Sequence, residues 1–356
     1  MLRKIIFSAV AAAATCTQVN AQDSTEAQPK LAISGYVDVY YRFNLSNPKK
    51  ATDQFNNFTS FTNSQNSFEL NMASVKLEHS FGKVGVVADL GFGKRAEEFS
   101  YADDKTRLAI KQAYVSYSPL ANVKLSAGSW ATHVGYELVD PTLNRNYSMS
   151  YMFSYGPFAH TGIKADVALG KSGFMIGVTN PTDLKSANFA RKCLIAQYSL
   201  SMIDDKLKAY VNYQGGKPGD GQRMNQFDLT VTGAISNKFS MGYNGTVQSL
   251  QAKENGGKFG DGSKWWGSAL YFNLDPTENF GLTWRTEYFS NEKAVVAAPE
   301  ANIFSNTLSA NFKVGPLTII PEIRLENANT AIYTKGDKIG AEKSTASALV
   351  AAVYAF

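Results

Sequence analysis

The sequence is poor in cysteine, in charge and in long apolar runs. Two cysteines occur in 356 residues, charged residues make up 18%, and the three histidines lack flanking cysteines, which disfavours a zinc site. Beyond the N-terminus no apolar run approaches the roughly 18 residues of a membrane-spanning helix, which excludes a helical membrane protein. The hydrophobic and aromatic fractions, 44% and 12%, argue against a disordered chain.

The start of the chain has the pattern of an export signal. A basic beginning precedes an apolar run at residues 5–14, and residues 19–21 (VNA) offer a small-residue cleavage site. We therefore expect a signal peptide over residues 1–21 and a single mature domain over residues 22–356. Cys16 follows the apolar run, but the branched residue of a lipoprotein signal does not precede it, which disfavours lipidation.

Cleavage would remove two basic residues, Arg3 and Lys4. The mature chain then has 33 basic and 30 acidic residues, a net charge of +3, which argues against a nucleic-acid partner. Cys193 is the one thiol left, so no intramolecular disulfide can form.

Strict alternation of apolar and polar residues is the dominant pattern after residue 30. At its start the odd positions from 31 to 43 are apolar or small, and Ser34, Asp38 and Arg42 stand between them. A period of two predicts strands with one apolar and one polar face. We count sixteen such segments, with approximate starts at Leu31, Ser67, Val84, Leu108, Val123, His160, Gly173, Lys192, Leu207, Gln226, Phe239, Trp265, Phe280, Ile303, Leu317 and Ser344. In the second segment, which starts at Ser67, the alternation of apolar and polar residues changes phase between Met72 and Val75, and a β-bulge would explain this change.

The connections between these segments alternate in length. Short turns are expected at residues 82–83, 119–122, 170–172, 201–206, 236–238, 275–279 and 315–316. Long polar stretches are expected near residues 44–66, 94–107, 133–159, 181–191, 215–225, 250–264, 290–302 and 327–343. One end of the sheet is therefore trimmed, and the other carries long loops.

A soluble β-sandwich and a transmembrane barrel both show such alternation. The polar face here is mostly Ser, Thr, Asn, Gln and Gly with scattered ions, which suits a water-filled interior better than a face in bulk water. Strands of about 9 to 11 residues cross the hydrocarbon layer, and closure leaves no backbone group unpaired in lipid. The prediction is an all-β fold, a transmembrane antiparallel up-and-down β-barrel of about sixteen strands, with fourteen or eighteen tolerable.

The last segment, residues 344–356, ends the chain on Phe356. An aromatic ending on a terminal strand is typical of the signal that the barrel assembly machinery recognises. We therefore expect Phe356 to contact that machinery.

Several short stretches resemble one known family. They are residues 34–41 (SGYVDVYY), 88–93 (ADLGFG), 111–115 (KQAYV), 132–137 (THVGYE), 144–148 (NRNYS), 156–158 (GPF) and 160–162 (HTG). They are similar to the OmpL-like porins of Bacteroidetes, the β-barrel porin-2 family, over nearly the whole mature chain. The resemblance implies a porin-like barrel in the outer membrane of a Gram-negative bacterium, and it supplies no substrate.

We therefore expect a passive diffusion channel for small polar solutes, without cofactor, metal or catalytic residue. The alternative is a non-conducting barrel that acts as a structural anchor or surface adhesin through its long loops. An enzyme is a third option, because His133 and His160 bracket the third long stretch, but Ser, Asn and Asp are too common here to make that grouping specific. Outer-membrane lipid and lipopolysaccharide are the expected partners, and a homotrimer is compatible with the sequence.

The third long stretch, residues 133–159, is too aromatic for a solvated loop. We expect it to fold into the lumen and narrow the channel, with Glu137, Asp140 and Arg145 as charges at the constriction. The alternative is an extra strand over residues 147–153, where aromatic residues and Met alternate with Ser. One extra strand would move every later long loop to the trimmed side, so the loop asymmetry favours the inserted loop.

Charges of both signs fall in the inward phase of the predicted strands. They are Asp38, Arg42, Asp89, Lys124, Lys164, Asp166, Lys208, Asp228, Arg285, Glu287, Glu322, Arg324 and Glu326. Facing rows of opposite charge would create a transverse field that favours polar solutes. The alternative is structural pairing between neighbouring strands, such as Arg285 and Glu287 with Glu322 and Arg324. Strong ion selectivity is not predicted.

Overall fold

The computed structural model describes most of the predicted mature chain. The described residues are 30–49, 51–188, 190–219, 221–253 and 257–356. The predicted signal peptide, its cleavage site and Cys16 lie outside them, so those predictions stay untested.

Eighteen strands lie in the described residues. They are β1 (Lys30–Asn44), β2 (Ser67–Phe81), β3 (Val84–Phe92), β4 (Ile110–Leu120), β5 (Val123–Ala131), β6 (Ala159–Leu169), β7 (Ser172–Thr179), β8 (Cys193–Met202), β9 (Leu207–Gly216), β10 (Gln222–Ala234), β11 (Phe239–Ala252), β12 (Ser263–Thr277), β13 (Phe280–Ser290), β14 (Asn302–Val314), β15 (Leu317–Ala328), β16 (Tyr333–Lys335), β17 (Lys338–Glu342) and β18 (Ser344–Ala355). Sixteen of them form one closed antiparallel barrel, and β16 and β17 form a separate hairpin. The predicted fold class and strand number are confirmed.

The barrel closes where β1 pairs with β18. The register runs as far as Asn44 opposite Ser347. Beyond the other end of the ladder, the Phe356 N–H donates to the Gly35 carbonyl over 2.9 Å, and the Gly35 N–H donates to the Phe356 carbonyl over 3.0 Å. This seam pairs the last two free edges of the sheet, whose backbone groups would otherwise be costly to expose to lipid.

Alternation sorts the side chains of each strand onto two faces. On β13, Trp284 faces outward and is 45% exposed, whereas the next residue, Arg285, faces the lumen and is buried. On β15, Ile323 and Leu325 face outward on either side of the buried Arg324. The outer surface is therefore apolar where acyl chains would lie, and the inner wall is polar.

Register shifts interrupt the alternation in four strand pairs of the described barrel, and two of these shifts bear on the lumen. Between β1 and β2, Met72 and Leu70 pair with consecutive residues of β1, which leaves Asn71 as the extra residue. Leu70 before the bulge and Val75 after it both face outward, so the bulge accounts for the phase change in the sequence. A second register shift, between β3 and β4, buries Lys111 in the lumen.

Connection lengths alternate around the barrel. On one side, here the turn side, the strands are joined through residues 82–83, 121–122, 170–171, 203–206, 235–238, 278–279 and 315–316. The other side, the loop side, carries the long connections. These contain α1 (Lys94–Phe99), α2 (Tyr151–Tyr155) and 3-10 helices at Ala51–Asn56, Lys105–Ala109 and Pro141–Leu143. In the described part of the chain, no helix has the length and apolarity needed to cross a membrane.

Candidate functional site

The connection between β5 and β6, residues 132–158, lies inside the barrel, and we call it the inserted loop. It makes hydrogen bonds to inner-wall residues of β1, β2, β10 and β12 to β15. Ser150 caps α2 within it by accepting a hydrogen bond from the Phe153 N–H over 3.1 Å. Because β5 and β6 pair directly with each other, the sheet has no place for an extra strand at residues 147–153.

Arg285 on β13 is the central link between the wall and the inserted loop. Its Nη1 lies 2.6 Å from Oε1 of Glu137, and its guanidinium donates to the carbonyl oxygens of Ser148 (2.7 Å) and Met149 (3.2 Å). Its Nε lies 3.5 Å from Oε1 of Glu287 on the same strand. These groups are buried, so two carboxylates compensate a guanidinium that water does not reach.

Charged side chains on the wall form hydrogen bonds with the backbone of the inserted loop. Glu322 on β15 accepts hydrogen bonds from the N–H groups of Tyr147 (2.8 Å) and the following residue (3.2 Å). Glu287 accepts one from the N–H of Tyr151 over 2.9 Å. Arg324 donates to the Met149 carbonyl over 2.7 Å. The wall therefore satisfies backbone groups that the inserted loop cannot pair with itself.

A second set of contacts joins the inserted loop to β1 and to α1. The Tyr147 hydroxyl donates to Oδ2 of Asp38 over 2.6 Å. Nη2 of Arg95, on α1, lies 3.7 Å from the same oxygen, and Nη1 donates to the Val139 carbonyl over 2.9 Å. Arg95 thus holds the second long connection against the inserted loop.

Asp140 and Arg145 are bound to different parts of the wall. Nζ of Lys111 lies 2.6 Å from Oδ1 of Asp140 and 3.0 Å from Oδ1 of Asp89. Nη2 of Arg145 lies 2.5 Å from Oδ1 of Asp275, and this pair is about one third exposed. Wall residues therefore compensate both charges.

Aromatic side chains from three loops pack together on the loop side. The Phe158 ring of the inserted loop lies 5.4 Å from Phe153, 5.6 Å from Phe61 and 5.9 Å from Phe99, between ring centroids. Phe61 comes from the first long connection and Phe99 from α1. These loops share one hydrophobic cluster, so they stabilise one another inside the barrel.

Asp183, in the fourth long connection, holds that connection against the end of the inserted loop and the start of β6. Its Oδ1 accepts hydrogen bonds from the N–H groups of Phe158 (2.7 Å) and Ala159 (2.8 Å), and the Tyr101 hydroxyl donates to Oδ2 over 3.0 Å. Burial raises the pKa of Asp183 to about 6, although these hydrogen bonds and nearby Lys185 act in the opposite direction.

The lumen is covered unevenly. On the inner faces of β13 and β14, Thr283, Glu287, Ser305 and Ser309 are at most 2% exposed. Toward the turn side the inner wall is partly open to water, and we call this region the vestibule. Its charged residues are Lys76, Glu78, Lys124, Lys164, Asp166 and Lys208.

The structure places the sequence candidates in three groups. Asp38, Arg42, Asp89, Asp228, Arg285, Glu287, Glu322, Arg324 and Glu326 are buried on the inner wall. Lys124, Lys164, Asp166 and Lys208 line the vestibule, and Glu137, Asp140 and Arg145 belong to the inserted loop. Most of the buried charges bind loop backbone or side chains instead of forming open rows across the lumen. Arg324 lies 3.4 Å from Glu287, but Arg285 takes Glu137 as its closest carboxylate.

Several anchoring residues were absent from the sequence candidates. Lys111 falls in the outward phase of its strand, and only the bulge turns it inward. Arg95 and Asp183 lie in loops, where a period of two carries no information. Asp275 stands in the inward phase at the end of β12, so the alternation could have identified it.

His133 and His160 meet where the inserted loop leaves the wall, with ring centroids 5.1 Å apart. Nε2 of His160 lies 3.2 Å from Oγ1 of Thr132, and Nε2 of His133 lies 3.1 Å from the Tyr213 carbonyl oxygen. Burial lowers the pKa of His133 to about 4, so its ring is neutral at pH 7. These partners are those of packed structural histidines.

Known proteins share this architecture. A family model described as "Putative beta-barrel porin-2, OmpL-like" matches residues 30–356. The outer membrane channel DcaP of Acinetobacter baumannii superposes with a TM-score of 0.63 at 11% identity, covering 94% of this chain and 100% of that chain. OmpT of Vibrio cholerae gives 0.61 at 11% identity, covering 94% and 100%. In-vitro folded OmpT in its trimer form gives 0.57 at 11% identity, covering 92% and 99%. No curated protein sequence matches the chain significantly.

Replacing Arg285 with methionine should loosen the inserted loop. The variant leaves Glu137 and Glu287 buried without their shared cation, and we expect unfolding in detergent to cost about 3 to 5 kcal/mol less. Adding Glu137→Gln to Arg285→Met should restore part of the loss, because it removes one uncompensated charge. Lys124→Met in the vestibule is the control, with an expected change below about 1 kcal/mol. Equal thermal unfolding midpoints for Arg285→Met and the unsubstituted protein would contradict this account.

Stability should depend on pH through Asp183. Its folded pKa of about 6 lies above the ordinary 3.8, so the folded protein binds this proton more tightly than the unfolded chain does. The free energy of unfolding should therefore fall as pH rises from about 4 to 6, by roughly 3 kcal/mol. Asp183→Asn keeps an acceptor oxygen for the two N–H groups and does not titrate. Its denaturant unfolding should lack this slope, and identical pH profiles for the two proteins would refute the assignment.

Proposed function

The chain belongs to the β-barrel porin-2, OmpL-like family and is an outer-membrane porin, and from that premise we propose that it admits small polar solutes by passive diffusion. The turn side then faces the periplasm, and the loop side faces the cell exterior. The observation that carries the proposal is a closed barrel with a polar inner wall, narrowed by a loop that the wall holds in place. A barrel of this strand number is wide enough for an aqueous lumen.

The inserted loop sets the upper limit on solute size in this proposal. We assign the constriction to Glu137, Asp140 and Arg145 together with their wall partners. The vestibule beneath it contains charges of both signs, with Lys76 at 2.9 Å from Glu78. A wall of mixed charge favours hydrated solutes of either sign over apolar ones.

A second candidate function is a non-conducting anchor or surface adhesin. It is favoured by the burial of the inner wall on β13 and β14, where loop atoms replace water. The long external connections would then supply the binding surface. Planar-bilayer recording separates the two candidates, since a folded barrel without conductance steps would support the anchor.

The partners follow from the position in the outer membrane. The apolar outer face contacts lipid, and we propose that lipopolysaccharide surrounds the external rim. Phe356 is 62% exposed beside the seam, which leaves its ring accessible to the barrel assembly machinery. Removal of residues 1–21 during export is part of the same proposal.

We also propose a homotrimer, in which copies meet through the outer face of β3 to β8. A hollow of about 970 Å³ lies on this face, where the small side chains Ala127 and Ala165 stand among Val115, Ile163 and Ile176. Small residues allow close approach of a second wall inside the membrane, where packing drives association. A trimer form is known for OmpT, which has a similar barrel, and this supports the proposed oligomeric state.

No catalytic activity is part of the proposal. His133 and His160 are the best candidates for chemistry, but both are buried and pack against Thr132 and the Tyr213 carbonyl. The neutral His133 ring is therefore committed to holding the base of the inserted loop. Lipase and protease assays on the purified barrel should show no turnover.

Deleting residues 138–155 should raise the single-channel conductance several-fold, because the segment that narrows the lumen is removed. Planar-bilayer recording of the refolded protein measures this. The matched control is deletion of residues 257–261, an external segment outside the lumen, which should leave conductance unchanged. Conductance that stays the same after deletion of residues 138–155 would end the constriction proposal.

Filling the hollow should disrupt the trimer. Ala165→Trp places a large ring where a neighbouring wall would pack, and we expect monomers by light scattering in detergent. Ala348→Trp makes the same change at an exposed outward position of β18 and should leave the trimer intact. A monomeric unsubstituted protein, or a trimeric Ala165→Trp variant, would contradict the proposed interface.

A further inference from the structure

A row of cations crosses the outer face of the barrel at the external ends of β8 to β12. It consists of Lys192, Lys217, Arg223, Lys253 and Lys264, and we call it the basic row. Arg223 precedes the buried, inward-facing Met224, and Lys264 precedes the buried, inward-facing Trp265. Because neighbours along a strand point to opposite faces, these two cations point outward.

The strand register brings Lys192, Lys217 and Arg223 to one level. Gly216 pairs with both Cys193 on β8 and Met224 on β10, and the cations of β8, β9 and β10 each lie one residue beyond these three. Arg223 pairs with Gln251 on β11, so Lys253 lies two residues further out along that strand. Lys264 on β12 pairs with Ser249, two residues deeper than Gln251. Neighbouring strands lie about 4.8 Å apart, so the row spans about 19 Å across the wall.

Phe259 holds part of the row in place. The Arg223 guanidinium lies 4.4 Å from the centre of its ring, and Nζ of Lys217 lies 5.6 Å from it. The backbone of Phe259 forms a bridge with Lys253. Cation–π contacts orient these side chains without neutralising their charge.

The charges of the row are not compensated within the described structure. None of the five cations makes an ion pair with a described residue, and the nearest described carboxylate in sequence, Asp261, is exposed in the β11–β12 connection. Lys192 donates to Oδ1 of Asn180, a neutral group, over 2.7 Å. Arg223 and Lys264 are exposed. An array of this kind attracts a multiply charged anion.

Aromatic residues place the row at headgroup depth. Trp266 follows Lys264 by two residues, and Phe227 follows Arg223 by four, on the same outward faces. The Tyr213 and Phe227 rings lie 5.0 Å apart. Such outward aromatics mark the membrane interface, so the basic row stands roughly 7 to 13 Å further out.

We propose that the basic row docks the phosphate groups of a lipopolysaccharide molecule in the outer leaflet. Lys and Arg bind phosphate oxygens through charge-assisted hydrogen bonds. The acyl chains of the same molecule would lie on the apolar wall below, beside the exposed Val211 and Leu229. The proposal rests on the outer-membrane location and is independent of conduction, so a silent barrel could still bind the lipid.

Binding of rough lipopolysaccharide to the refolded full chain in non-ionic detergent tests this. The row variant combines Lys217→Gln, Arg223→Gln, Lys253→Gln and Lys264→Gln, and it should bind about tenfold more weakly or worse. The control variant changes four exposed lysines of the periplasmic turns to glutamine, namely Lys83, Lys171, Lys206 and Lys238, and should keep its affinity. Lipopolysaccharide stripped of its phosphates should bind the unsubstituted protein as weakly as the intact lipid binds the row variant.

Heat-modifiable migration in gel electrophoresis establishes that the row variant is folded. If the row variant fails to fold, two other measurements decide the question. One is binding of the phosphate-stripped lipid to the unsubstituted protein. The other is a variant with Lys217→Arg, Lys253→Arg and Lys264→Arg, which keeps the charges and should bind intact lipid normally. Equal affinity for intact and stripped lipid, or equal losses in the row and control variants, would overturn the proposal. A row variant with altered ion selectivity but full lipid affinity would also overturn it and assign the cations to solute capture.

Discussion

Every backbone polar group inside a bilayer needs a partner within the protein, and the seam between β1 and β18 is where this barrel meets that requirement. Pairing from Asn44 with Ser347 to Gly35 with Phe356 joins the two end strands of the sheet along the length of β18. Because neighbouring strands are antiparallel, successive connections alternate between the two ends of the barrel. With an even number of strands this alternation is preserved around the closed barrel. The short turns and the long loops are therefore separated by topology, and the loop side alone is free to fold back into the lumen.

The same requirement operates inside the lumen, where the inserted loop is removed from water. Glu287 and Glu322 accept its N–H groups, and Arg285 and Arg324 donate to its carbonyl oxygens. Wall charges therefore act as the hydrogen-bond partners of a buried backbone. Displacing the loop would strand several buried charges at once, so the inserted loop is a fixed part of the barrel.

The sequence predicted the strands well because lipid on one face and water on the other constrain almost every residue of a strand. It predicted the loop asymmetry for the same reason, since polar stretches interrupt the period. The sequence was less informative about the contacts between the wall and the inserted loop. Alternation indicates which face of the strand a side chain lies on, but it does not indicate which residue that side chain binds. The bulge that turns Lys111 inward has no signal in the period, and Arg95 reaches Asp38 only through the path of a loop. Pairing across the lumen depends on barrel shear and loop path, which no local pattern encodes.

The depth of an outward side chain in the membrane determines what it can contact. At hydrocarbon depth the outer face of β3 to β8 is apolar and hollow, and it suits contact with another protein wall. Beyond the aromatic residues of β9, β10 and β12, the outward positions become cationic at Lys217, Arg223 and Lys264. The two surfaces adjoin at β8. If copies pack through the hollow, the cations stand at the margin of the assembly, where a lipid headgroup can approach from the open leaflet and its chains can fill the wall that protein leaves uncovered.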